Sequence, residues 1–271
     1  MKYSLMLALG TIAAFAADTP VTFKDSALAQ VVAQSVPAGQ PAAPVTEARA
    51  ASIVLVRSDE TIRDLSGLEK LTGLRFLYLA KSEISDLKPL ANLTNLESIT
   101  IRGGSIQDLS PLANLKKLDF VNLSGNQVQD LKPLSGLTEL QHLDLSNNRV
   151  TEISPLSGLA KLEWLRLEGN QVADLSPVTG LKKLVMLDLN KNRVKDLSPI
   201  KGMQSWAELY LDDNQVTDLQ PLVDALKGDQ EKPKVLVPFR SISLRNNPLT
   251  AQTKSAVLPQ LQKMVGSVTL Q

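Results

Sequence analysis

The chain has no cysteine and only one histidine, His142, in 271 residues. Disulfides, thiolate zinc sites, thiol nucleophiles and a lipid anchor on an N-terminal cysteine are therefore excluded. A single histidine cannot form an H-E-x-x-H helix, and neither a P-loop nor a G-x-S-x-G elbow occurs. Aromatic residues make up only 4% of the chain, so leucine must carry the core, and heavy use of one residue type suggests repetition. No charge of one sign dominates: the formal net charge is +1, and loss of Lys2 with a leader segment would balance it. A neutral chain without a basic block is a poor fit to nucleic acid or to an anionic membrane.

Long apolar runs are also few. Met1-Lys2 gives a positive start, Leu5 to Phe15 is apolar, and Ala14-Phe15-Ala16 fits the small-x-small rule of signal peptidase. Residues 1–16 therefore read as a signal peptide, with the mature chain beginning near Ala17. The run is short for a permanent anchor, and no later stretch approaches the length of a membrane span. The expectation is a protein exported to the periplasm, cell envelope or medium, with no stable membrane insertion.

A 22-residue period is present in the middle of the chain. Units open at Leu74, Leu96, Leu118, Leu140, Leu162, Leu184 and Trp206, each followed by an L-x-x-L-x-L frame such as Leu140-x-x-Leu143-x-Leu145. Such a period marks a solenoid, and the alternation at the end of each frame marks a short strand buried on one side. Asn126, Asn148, Asn170, Asn192 and Asn214 stand three residues after the frame, where a buried amide can satisfy backbone groups of successive turns. Ser82 and Gly104 replace it in the first two frames, which predicts a less rigid end. The second half of each unit reads I/V-x-D-L-x-P-L-x-x-L. Asp86, Asp108, Asp130, Glu152, Asp174, Asp196 and Asp218 read as caps of a helical turn, with prolines 89 to 221 three residues on.

Both ends carry caps, as a solenoid requires. Residues 17–51 read as an N-terminal helical cap and linker, with Asp25 as N-cap of a helix over 26–36 and Thr46 opening a second short helix. Residues 52–249 read as the repeat array, with an extra loop around Lys227 to Lys234 before a final frame at Phe239. Residues 250–271 read as a C-terminal cap: an amphipathic helix from Thr250 to Val265 and a closing strand at 268–270.

The unit "LTELQHLDLSNNRVTEISPLSGL" and the cap "VTFKDSALAQVVAQSV…PVTEA" resemble the repeats and helical cap of internalins and internalin-like bacterial leucine-rich-repeat proteins. The resemblance spans nearly all of the chain after the leader. It implies an α/β horseshoe with a parallel concave sheet, 3₁₀ turns on the convex side and protein recognition by the concave face. An immunoglobulin-like module and an LPxTG-type sorting signal are not found here, so cell-wall display and host-cell invasion are not expected.

In each frame the third, fifth and seventh positions should face outward from the concave sheet. The third-position row is Phe76, Ser98, Phe120, His142, Trp164, Met186, Glu208, and the fifth is Tyr78, Thr100, Asn122, Asp144, Arg166, Asp188, Tyr210. Phe120 to Met186 reads as an exposed aromatic and soft apolar stripe beside the acid–base–acid ladder Asp144, Arg166, Asp188. Trp164 and Arg166 are the expected anchors, with Phe76, Tyr78 and Tyr210 as outer contacts, because Trp, Tyr and Arg dominate interface energetics. The competing reading makes the ladder ordinary cross-strand pairing and the aromatics a shield for the sheet. Asp144 and Asp188 could be spaced like a glycosidase pair, but nothing in the sequence raises either pKa and Arg166 should lower both. No catalytic residue, metal ligand or cofactor is assigned. A monomeric binding module for another protein is the expected function, ahead of a purely structural envelope component or a carbohydrate-acting enzyme.

Overall fold

The structure is a computed structural model that describes residues 19–37, 44–203, 207–230 and 240–270. The leader reading, Trp206 and Phe239 lie outside the described residues. Ten strands form one parallel sheet in chain order: β1 (Leu55–Ile62), β2 (Phe76–Ser82), β3 (Ser98–Ile101), β4 (Phe120–Asn122), β5 (His142–Asp144), β6 (Trp164–Arg166), β7 (Met186–Asp188), β8 (Glu208–Tyr210), β9 (Ser241–Ser243) and β10 (Ser267–Thr269). From β2 to β8, paired residues on successive strands lie 22 positions apart, for example His142 with Trp164 and Leu143 with Leu165. The frame leucines point inward, and Leu143, Leu145, Leu165 and Leu167 are buried. One continuous leucine core therefore runs the length of a curved solenoid.

The asparagine column is the polar spine of that core. Asn170 donates from Nδ2 to the carbonyls of Leu145 and Leu167, both at 2.9 Å, and its Oδ1 accepts the Val150 N–H at 2.9 Å. The same three bonds recur at Asn126, Asn148, Asn192, Asn214 and Asn247. Each amide links its own turn to the preceding one, where backbone groups would otherwise be buried unpaired. The asparagine is missing from the first three strands, and two of them run on: β1 has 8 residues and β2 has 7, against 4 in β3 and 3 in β4. Gly104 stands at one such place because a Cβ there would lie 2.3 Å from the Ile84 carbonyl oxygen.

The turn beside the spine carries a feature absent from the sequence reading. Gly103, Gly125, Asn147, Gly169, Lys191, Asp213 and Asn246 all have positive φ, one per repeat. Glycine, asparagine and aspartate adopt this conformation most easily. Lys191 is the exception.

On the convex side, 3₁₀ turns such as Ser110–Leu112 hold proline at their second residue. Asp108 Oδ1 accepts the Ser110 N–H at 2.8 Å, and Asp86, Asp130, Asp174, Asp196 and Asp218 do the same two residues on. The acidic row is thus structural capping. In the last such unit the turn expands into α3 (Gln220–Gln230), so the start of the expected loop is helix.

The caps close the two ends of the core. Helix α1 (Ser26–Gln34) buries Leu28 and Val32, and Asp25 caps it through the N–H groups of Ala27 and Leu28. Helix α2 (Glu47–Ala51) follows Thr46, whose buried hydroxyl makes no capping bond. At the far end the expected helix forms over residues 251–262 and is locally widened. A wide π turn over Thr253–Val257 precedes α4 (Leu258–Gln262), because Pro259 has no N–H to bond the preceding turn and its ring crowds that turn's carbonyl.

Candidate functional site: an aromatic slot and an acidic hollow on the concave sheet

The strand register places the third-position side chains side by side on one face. Phe120 and His142 have ring centroids 5.8 Å apart, and His142 meets Trp164 edge-on at 5.2 Å. Trp164 is 44% exposed, one of few large apolar side chains so open to water. Arg166 leans over its ring at 6.0 Å. Phe120, His142, Trp164 and the fifth-position Asn122, Asp144 and Arg166 enclose a slot of about 180 Å³ over Leu143. The slot can take one apolar side chain.

The stripe ends sooner than expected. Met186 is only 5% exposed, so it is floor and not contact surface. It sits between Trp164 and Glu208 on the adjoining strands. Phe76 and Tyr78 are half-buried on the same face but stand apart. Ser98 and a buried Thr100 separate them from Phe120, and Arg75 and Arg57 stack over their rings at 5.1 and 4.9 Å.

The fifth-position ladder is in register but is not a chain of ion pairs. Asp144, Arg166 and Asp188 are lateral neighbours, yet none of them joins in an ion pair within 4 Å among the described residues. Asp144 instead accepts the Ser146 N–H at 3.0 Å and the Asn122 amide at 3.2 Å, and Asp188 accepts the Asn190 N–H at 3.0 Å. Both carboxylates shape the strand-end turns. Burial pushes the Asp188 carboxyl above its ordinary pKa, Glu168 and Asp144 add to this, and the Asn190 N–H and the Arg166 charge only partly oppose it. The expected lowering of Asp188 is thus reversed, because the sequence gives neighbours but not desolvation.

Beyond the slot, Asp144, Arg166, Glu168, Asp188, Glu208 and Tyr210 border an open hollow of about 400 Å³, with Arg102 at its other side. Tyr210 donates its hydroxyl to Glu208 at 2.9 Å, and Glu168 is paired with Lys191 at 2.7 Å. Arg102, Glu168 and Glu208 were not among the expected contacts. Their signal was available: Arg102 and Glu168 occupy the seventh frame position and Glu208 ends the third-position row. No group of metal-ligating side chains occurs among the described residues.

Comparison with known proteins settles the family. A model for paired leucine-rich repeats matches residues 72–114, 114–158, 160–202 and 182–224, together more than half of the chain. This chain belongs to the leucine-rich-repeat family. No curated protein sequence matches it. Among solved structures it is similar to an internalin of Listeria monocytogenes at 27% identity and a TM-score of 0.79, over 93% of this chain and 71% of that one. Internalin C2 of the same organism is 33% identical with a TM-score of 0.71, over 76% of this chain and 93% of its own. A leucine-rich-repeat protein of Leptospira interrogans shares the fold at 20% identity and a TM-score of 0.69, over 84% of this chain and 63% of that one. The chain is an internalin-like leucine-rich-repeat solenoid, a fold that serves generally as a protein-interaction scaffold. No helix among the described residues is long and apolar enough to cross a membrane.

Proposed function

We propose that this internalin-like chain is an exported, non-enzymatic scaffold that recognises another protein through its concave face. The observation that carries the reading is the solvent-facing row Phe120, His142 and Trp164, with Arg166 over the indole. Contiguous solvent-facing aromatics beside an arginine are what interface centres are made of, and apolar surface of this kind calls for a partner. The division into a leader at 1–16, a cap to 51, the array to 249 and a closing cap belongs to the same proposal, as does residence in the envelope or medium. Asp144 and Asp188 are engaged in turn geometry, which speaks against a hydrolytic pair.

The test begins with a partner captured from the native host by the intact mature chain. Trp164→Ala and Arg166→Ala should each weaken binding about tenfold or more with the fold intact. Lys195→Ala, on the convex side, should leave it unchanged. Equal affinity of all three variants moves the site off the concave sheet.

A further inference from the structure

The concave face is not uniform along the sheet. Around the slot and the hollow, cations are scarce. Asp119 and Glu163 directly precede Phe120 and Trp164 in their strands. Asp144 walls the slot, and Asp188 and Glu208 border the hollow. Glu168 is neutralised by Lys191 at 2.7 Å, which leaves five carboxylates against two arginines, Arg166 among them and Arg102 at the far side of the hollow. The opposite end of the sheet carries Arg57 and Arg75. The apolar slot therefore opens onto an acidic surface, and a cationic partner is the one its field attracts. The carboxyl of Asp188 is pushed up by burial and by its acidic neighbours, and a further positive charge beside it would offset that cost.

Resting on the reading that the concave sheet is the binding face, we infer that its C-terminal half takes a basic protein segment. One apolar side chain of that segment seats in the Phe120–His142–Trp164 slot, and a lysine or arginine lies over Asp188 and Glu208. The spacing follows from the sheet. Asp188 stands two strands from His142, a distance of about 10 Å, which is about three residues of extended chain. An acidic segment would meet like charge at the slot rim and in the hollow. A purely apolar one would leave the carboxylates facing a covered, poorly solvated surface.

The experiment uses the intact mature chain and fluorescein-labelled peptides on a glycine–serine background. One peptide carries a leucine and, about three residues on, two lysines; a second has glutamates for the lysines; a third has alanine for the leucine. The leucine–lysine peptide should bind, with affinity that falls as salt rises, and should lose about tenfold or more when either feature is removed. Trp164→Ala should weaken the leucine peptide and leave the alanine peptide unchanged. The double variant Asp188→Asn, Glu208→Gln should weaken both lysine peptides and flatten the salt dependence. The amide that replaces the Asp188 carboxylate keeps an oxygen for the Asn190 N–H, and a melting temperature no lower than the parent's verifies the fold. Equal binding of the lysine and glutamate peptides, or binding of neither, overturns the inference. The wider reading fails separately: a captured partner that responds to Trp164→Ala but not to the double variant sinks the basic segment alone. A partner that responds to neither sinks the concave face as well.

Discussion

At the residue scale, burial and hydrogen bonding set a ranking that chemical denaturation can read. Leu165 is fully buried, so Leu165→Ala should cost about 2–5 kcal/mol through lost transfer energy and the cavity left behind. Asn170→Ala removes one donor group and one acceptor from three buried backbone partners and should cost about 1–3 kcal/mol. Lys161 makes an exposed ion pair with Glu139 at 2.6 Å, and Lys161→Ala should cost less than about 1 kcal/mol. Similar urea midpoints for all three would contradict the inward and outward assignments. Lys191 is a separate case, held at φ 55 where the other repeats use glycine, asparagine or aspartate. A β-carbon-bearing residue in that conformation costs about 1–2 kcal/mol, and asparagine bears it better than lysine. Lys191→Asn should therefore raise the midpoint when made in a Glu168→Gln background, where the ion pair is already gone. No rise would show that the turn is unstrained.

At the scale of elements, one side chain fastens the N-terminal cap to the array. Asp25 accepts the N–H groups of Ala27 and Leu28 at the start of α1, and its second oxygen accepts the Arg63 N–H at 2.7 Å, 38 positions along the chain. Asp25→Ala should cost about 1–3 kcal/mol, since it removes both a helix cap and the link to the first repeat. Hydrogen exchange should locate the loss in α1 and β1, with the amides of β5 to β7 unchanged, because a solenoid couples only neighbouring units. Loosening spread evenly over the whole sheet would argue against a local fastening. The sequence marked Asp25 as a cap from the residues that follow it. Its bond to Arg63 was beyond reach, because nothing local links positions so far apart.

At the scale of the whole molecule, two opposed titrations shape stability. Asp108 is held below its ordinary pKa by the N–H and hydroxyl of Ser110, and Asp64, Asp174 and Asp196 by the hydroxyl and N–H of the serine two residues on. A carboxylate lowered in the folded state contributes stability above its unfolded pKa, and that contribution is lost as pH falls through the folded value. Asp188 is raised, so it has the opposite sign: its contribution is present below the unfolded pKa and is lost as pH rises through the folded one. The protein should therefore lose stability below about pH 4 as the convex turns protonate. Asp188→Asn should be more stable than the parent at neutral pH, with the gain vanishing on acidification. A gain that persists unchanged in acid would mean that Asp188 carries no burial penalty.

The repeat, the inward leucines, the asparagine spine and the outward rows were all legible in the amino-acid sequence. All of these follow from local periodicity, and a 22-residue period converts position along the chain directly into lateral position across the sheet. How deep each outward side chain lies came from the folded chain alone. Met186 sinks while Trp164 stands clear, Asp188 is desolvated, and Arg166 turns to the indole although carboxylates stand on both sides of it. The same is true of Gly104, whose missing side chain makes room for the Ile84 carbonyl, and of the column of left-handed turn residues. Burial, desolvation and close backbone approach depend on what neighbouring repeats place around a residue, and a repeat pattern specifies direction without specifying depth.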